Sequence, residues 1–137
     1  MKIETSFAQL KDSKELEKID KIANEEFKWW HLQSKKKFEN AIKKSRYLIV
    51  IARINQKMVG YLEASFKNEK TIWIENIYTS KYYRKKQVVK QLIKDSVKHW
   101  KNKVDNIVLL TADRNKKTFE KLGFKKTMNY MEFVGKK

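Results

Sequence analysis

The side chains available for chemistry in this chain are carboxylates, tyrosines and lysines, together with the backbone. Cysteine is absent, which removes thiolate nucleophiles, disulfides and thiolate zinc sites. Two isolated histidines, His31 and His99, do not form a ligand pattern, so no metal is expected. Charge concentrates at Arg84, Lys85 and Lys86, inside the segment IWIENIYTSKYYRKKQVVKQLIKDSVKHW from Ile72 to Trp100. That segment reads as a β-branched strand, a basic turn and an amphipathic helix. A strand end beside a helix N-terminus presents unpaired N–H groups and the positive end of the helix dipole, which suits a phosphate-bearing ligand. The glycines that usually let such a turn approach a phosphate are missing: Gln87, Val88 and Val89 hold the loop-to-helix positions.

The elements around this junction follow from periodicity. Lys2 to Phe7 alternates as a short strand, and Asp12 followed by Glu15 is an acidic variant of the capping box opening a helix near Ser13. Leu16, Ile19, Ala23 and Phe27 recur at helical spacing as its buried stripe. Trp29 and Trp30 follow, either lining a substrate groove or plugging the core where two helices meet. Ser34 is an N-cap for a short second helix carrying Phe38, Ala41 and Ile42. Tyr47 to Ile54 is a buried central strand, Asn55 and Gln56 a tight turn, and Met58 to Phe66 and Thr71 to Tyr78 complete an antiparallel meander.

The third helix buries Val89, Leu92, Ile93, Val97 and Trp100 and sets Lys86, Lys90, Lys94 and Lys98 at four-residue spacing on another face. That strip is either a solvated face or a docking strip for an anionic partner. Val104 to Leu110 is a further strand, parallel to the one at 71 to 78 because a helix separates them. A short helix from Asn115 to Leu122 stops at Gly123, and Phe124 to Val134 is a final strand or strand pair. The order βααβββαβαβ predicts an α/β (α+β) fold: a mixed sheet of six to seven strands flanked by about four helices.

A chain of 137 residues, 41% hydrophobic and without repetitive tracts, fits one domain over residues 1–137. No apolar run reaches membrane-spanning length and no charged-then-apolar leader is present, so a soluble cytoplasmic protein is expected. The formal charge is +17, and residues 1–34 carry six lysines against seven acids, so the excess lies beyond them. Such a field attracts nucleic acid, anionic cofactors or acidic proteins. Of the 33 basic residues 29 are lysine, which suits diffuse attraction better than bidentate base reading.

Two motifs resemble the GNAT superfamily of acetyl-CoA-dependent N-acetyltransferases, and the resemblance spans essentially the whole chain. IENIYTSKYYRKKQVVKQLI is similar to the family's strand, pyrophosphate loop and helix, with Arg84, Gln87 and Val89 at the positions of its arginine or glutamine and its two small residues. FEKLGF, Phe119 to Phe124, is similar to its fourth helix and following strand, with Asn115 upstream and phenylalanine where tyrosine is usual. The resemblance implies a mostly antiparallel sheet and direct transfer of an acetyl group from acetyl-CoA to an amine of a small molecule or protein.

It also implies roles. Glu75, on the matching fourth strand, would take the amine proton, with Glu63 the next candidate. Backbone groups of Ile77, Tyr78 and Thr79 would bind the pantetheine arm. Arg84, Lys85, Lys86, Gln87, Val88 and Val89 would hold the pyrophosphate, and Asn115 and Phe119 would lie along the cofactor. Because Phe119 lacks a hydroxyl, the acid for the leaving thiolate would be Tyr130, Tyr78, Tyr83 or water. The acceptor would sit near Trp29 and Trp30, in the stretch from Trp29 to Gln33, and by the segment near Asn129. The alternative is a catalytically weak or inactive protein of this fold that binds an anionic partner such as nucleic acid through its lysines.

Overall fold

The computed structural model describes residues 2–111, 113–127, 131, 133 and 135; of Lys85, Lys86 and Asp113 only the backbone is described. A sheet in the order β1-β2-β3-β4-β5 runs through the molecule. Its strands are β1 (Glu4–Phe7), β2 (Ile49–Ile54), β3 (Lys57–Asn68), β4 (Thr71–Thr79) and β5 (Asn106–Val108). The first four pair antiparallel, and β5 lies parallel to β4. The helices are α1 (Ser13–Glu26), α2 (Lys35–Ser45), α3 (Val88–Trp100) and α4 (Lys116–Lys121). The fold class is the expected mixed, mostly antiparallel α/β arrangement with four helices, but the described residues hold five strands rather than six or seven. Residues 124–127 carry no strand, and most of the remaining final segment lies outside the described residues.

Two apolar layers sandwich the sheet. Leu16, Ile19 and Ala23 of α1 and Phe38 and Ile42 of α2 pack with Ile49, Ile51, Met58, Tyr61 and Tyr78 on one face. Val88, Leu92, Ile93 and Trp100 of α3 pack on the other face, against Val50, Ala52, Val59, Leu62, Ile72 and Ile74. Each such fully buried aliphatic side chain contributes about 1.5–3 kcal/mol relative to exposure. Trp100 also donates its indole N–H to the Tyr47 carbonyl at 2.9 Å, anchoring the end of α3.

Asn55 and Gln56 join β2 to β3 with φ values of 51° and 68°, the pair of positive angles that a two-residue type I′ turn requires. Gly123 ends α4 at φ 97°. Phe124 N–H bonds to Phe119 O at 3.1 Å and Gly123 N–H to Glu120 O at 3.0 Å, with the Phe119 and Phe124 rings in edge contact, so the FEKLGF segment is a Schellman stop.

Two features depart from the expected pattern. Asp12 does not cap α1: its carboxylate accepts the Gln9 N–H of the preceding turn and pairs with Arg53, as does Glu15. The acids that looked like a capping box tie the start of α1 to the end of β2. The strand alternation is also broken by bulges. Val59 has no register partner between Ala52–Gly60 and Arg53–Met58, and Glu75 has none between Glu63–Asn76 and Ala64–Ile74.

Candidate active site

The site is built at the C-terminal half of β4, where the sheet opens. Ser80 N–H donates to the Val59 carbonyl at 2.8 Å, so alternate residues of β4 bond to β3 while Ile77 and Thr79 turn their backbone groups to the other side. On that side, among the described residues, β5 pairs with Thr71, Ile72 and Trp73. The edge of β4 beyond Trp73 therefore offers backbone donors and acceptors, although Arg84 Nε already donates to the Thr79 carbonyl at 3.1 Å. The Thr79 hydroxyl is buried without a hydrogen-bond partner.

After Thr79 a 3-10 turn from Lys81 to Lys86 leads to Gln87, which adopts the left-handed conformation at φ 64°, ψ 25°. Gln87 thus takes up the backbone geometry a glycine would supply, at the steric cost a Cβ imposes there. The first helical bond of α3 runs from Gln91 N–H to Gln87 O, and no side chain caps the helix, so the N–H groups of its first turn stay open. Val88 is fully buried and Val89 packs partly against the core beneath the sheet, so neither stands over the open amides. Gly60 makes this junction possible: a Cβ on it would lie 2.6 Å from the Tyr78 carbonyl oxygen and 3.2 Å from Val88 Cγ1.

Arg84 does not extend from the loop. Its guanidinium pairs with Glu26 at the end of α1 at 2.5 Å and lies over the rings of Phe27 and Tyr78. The paired guanidinium lowers the Glu26 carboxyl below the usual carboxylate range. Tyr78, whose hydroxyl donates to Glu26 at 2.9 Å, is pushed up to about 12 by burial and by that carboxylate.

On the helical face of α1 and α2 the same strands carry carboxyl groups. Glu63 is 8% exposed on β3 and accepts the Gln33 side-chain amide at 2.7 Å and the Asn76 amide at 3.1 Å. Burial raises its pKa, the two amides oppose that, and the charges of Glu75 and Asp20 add to it. Both bonds fall on Oε1, and among the described residues Oε2 takes no hydrogen bond. Asp20 is fully buried and satisfied by the Trp30 indole, the Gln33 N–H and the Tyr61 hydroxyl, each at 2.7 Å. Glu75 is exposed at the β4 bulge and accepts a bond from the Ser65 hydroxyl at 2.6 Å. Among the described residues the hydrogen-bond partners of all three carboxyls are neutral groups.

The two tryptophans differ in placement. Trp30 is buried at 5% exposure, part of the core, whereas Trp29 is 70% exposed and stacks on Phe27 with ring centroids 5.4 Å apart. Asn115 is exposed at the start of α4, and Phe119 packs partly into the core. Tyr130 and Asn129 lie outside the described residues, as do the side chains of Lys85 and Lys86. Among the described residues no three His, Asp or Glu side chains group as a metal site, and no helix is long and apolar enough to cross a membrane. Gln33 ends the Trp29 to Gln33 stretch expected near the acceptor, whereas Asn76 and Glu26 escaped sequence reasoning, since an amide and a surface glutamate carry no spacing signal. Glu63 did carry one: a carboxylate in a strand run buried on both faces.

A family model described as an acetyltransferase (GNAT) domain matches residues 13–136. The chain belongs to the GNAT acetyltransferase family. Solved structures share the GNAT fold along nearly their whole length. AAC(6')-Iy in complex with the bisubstrate analog CoA-S-monomethyl-acetylneamine superposes at TM-score 0.75 with 17% identity, covering 99% of both chains. Glucosamine-6-phosphate N-acetyltransferase from Arabidopsis thaliana gives 0.72 at 16% identity, with 98% of this chain and 99% of that one covered. A predicted acetyltransferase from Clostridium acetobutylicum, solved with acetyl-CoA, gives 0.70 at 18% identity, with 97% and 96% covered. At these identities the likeness is one of fold. No curated protein matches the sequence.

Proposed function

We propose that this GNAT domain transfers the acetyl group of acetyl-CoA to a primary amine that arrives as its ammonium ion, with Glu63 as the proton acceptor. A buried Glu63 with raised pKa, its Oε2 unbonded among the described residues, carries this reading. Several features fit acetyl-CoA as the donor: the β4 edge at Ile77 and Thr79, which β5 leaves uncovered and where Arg84 takes the Thr79 carbonyl alone, the unpartnered Thr79 hydroxyl, and the open amides at Gln87 to Val89. Acetyl-CoA supplies an acetyl group on a thioester, and transfer forms the N–C bond as the C–S bond breaks.

The chain's own contributions are positional and electrostatic. Attack needs a neutral amine, and an alkylamine of pKa about 10 is almost wholly protonated at neutral pH. Glu63, raised by burial, is matched to take that proton and pass it to solvent. Glu75, at the bulge on the same stretch of sheet, adds the negative charge that draws the ammonium in, and the Ile77 and Thr79 backbone faces hold the reacting groups in line. The thiolate takes its proton from solvent, since the Tyr78 hydroxyl is committed to Glu26. Release of free thiol from acetyl-CoA, measured across a panel of amines from pH 6 to 9, tests the proposal. The expected result is amine-dependent release that climbs with pH. Release that is absent with every amine, or indifferent to Glu63→Gln, overturns it.

A second reading rests on charge. Among the described residues Lys2 is the one lysine within ion-pair distance of an acid, and Lys90, Lys94 and Lys98 of α3 are exposed. An unneutralised lysine surface suits a polyanion such as nucleic acid. Binding of a labelled DNA duplex that weakens steeply between low and moderate salt, with no thiol release, is the outcome that favours it.

A further inference from the structure

We infer that the Glu26–Arg84 pair is a positioning device that makes the acceptor-side loop respond to the donor. The inference rests on the donor site proposed above. Arg84 belongs to the 3-10 turn that leads into the open amides of α3, yet its side chain is spent on the opposite side of β4. One group spans three elements: Nη1 holds Glu26 at the end of α1, Nε holds the Thr79 carbonyl at the end of β4, and the guanidinium plane covers Phe27 and Tyr78. Tyr78 closes the ring by donating to the other oxygen of Glu26.

Phe27 is where α1 stops and the loop toward Gln33 begins. Trp29 stacks on Phe27, Trp30 packs beside both and bonds to Asp20, and Gln33 reaches Glu63. A continuous set of contacts therefore runs from the phosphate-facing turn through Arg84 to the loop that borders Glu63. A ligand that fixes the turn at 81–87 fixes the Arg84 backbone, and the clasp transmits that restraint to residues 27–34. The family's usual task for an arginine here would be to face the ligand. In this chain the phosphate side is left to backbone amides, and the arginine faces the acceptor loop.

The experiment is backbone hydrogen exchange on the full chain with and without coenzyme A. In the wild type, coenzyme A is expected to slow exchange at 79–90 and also at 27–34, the latter by roughly fivefold or more, as for ordinary intersite coupling. In Glu26→Gln, protection at 79–90 should persist while protection at 27–34 is lost, with affinity for coenzyme A changed less than about threefold, since Glu26 does not face the proposed phosphate site. Arg84→Lys keeps the charge but cannot reach Glu26 and Thr79 together, so it should show the same uncoupling; it substitutes if Glu26→Gln does not fold. Protection at 79–90 without protection at 27–34 in the wild type overturns the inference, as does coupling that survives in either variant. No protection anywhere overturns the donor site itself.

Discussion

Gln33, on the loop after α1, donates its side-chain amide to Glu63 on β3 at 2.7 Å, across 30 positions of sequence. That bond stabilises the charged form of a carboxyl whose burial favours the neutral one. Replacing Gln33 with leucine removes the donor and adds apolar surface, so the Glu63 pKa should climb further. The acid limb of kcat/KM would then move to higher pH while the plateau rate changes less. A limb that stays in place would separate Glu63 from the rate-limiting proton transfer.

Glu63 itself should cost stability in exchange for chemistry. Its folded pKa lies above the unfolded value, so its contribution to stability is intact below the unfolded pKa and is lost as pH rises through the folded one. Glutamine keeps an Oε1 acceptor for Gln33 and Asn76 and does not titrate. Glu63→Gln is therefore expected to lower kcat by about 10²-fold or more. Its Tm should exceed that of the wild type at pH 8 by a margin that shrinks toward pH 4. A Tm deficit that grows with pH would contradict the assignment of Glu63 as a strained, buried carboxyl.

Much of the scaffold was legible because its signals are local. The Asn55–Gln56 turn, the Gly123 stop and the apolar stripe of α1 each follow from residues a few positions apart. What escaped was long-range. Asp12 and Glu15 matched a capping box in sequence, but Arg53, about 40 positions away, offered a charge-assisted partner. The bulge at Glu75 broke the strand alternation with no glycine or proline to announce it, whereas the one at Val59 sits beside Gly60. Nothing in the sequence around Arg84 reveals that its side chain pairs with Glu26. Likewise, the choice between Glu63 and Glu75 depends on burial and on hydrogen bonding, which no spacing encodes.

Gly60 should tolerate no side chain. A Cβ there meets the Tyr78 carbonyl oxygen at 2.6 Å, and that oxygen is fixed backbone rather than a mobile side-chain end. Gly60→Ala is expected to push β4 or the first turn of α3 outward and to destabilise the protein by about 1–3 kcal/mol. Urea unfolding measures this, and a free energy within about 0.5 kcal/mol of wild type would mean the strands relax more easily than the close contact implies.

Gln87 stands where the resemblance implies a small residue, in a left-handed conformation that suits glycine. Its φ of 64° places a Cβ in the left-handed region, a conformation that costs a non-glycine residue about 1–2 kcal/mol. Gln87→Gly relieves that strain but loosens the unfolded chain by roughly 0.5–1 kcal/mol, so net stability should change little. Ligand affinity should respond more, because removing the side chain lets a pyrophosphate approach the open amides of Val88 and Val89 directly. Coenzyme A is then expected to bind several-fold more tightly, most visibly at about 0.3 M salt, where diffuse lysine attraction is screened and the amide contacts remain. Gln87→Val, β-branched at the same positive φ, should lose stability and coenzyme A affinity together. Calorimetric titration of the three proteins at two salt concentrations distinguishes the cases. Equal affinities for glutamine and glycine would show that the side chain already lies clear of the ligand's path, leaving the left-handed turn alone as what position 87 supplies.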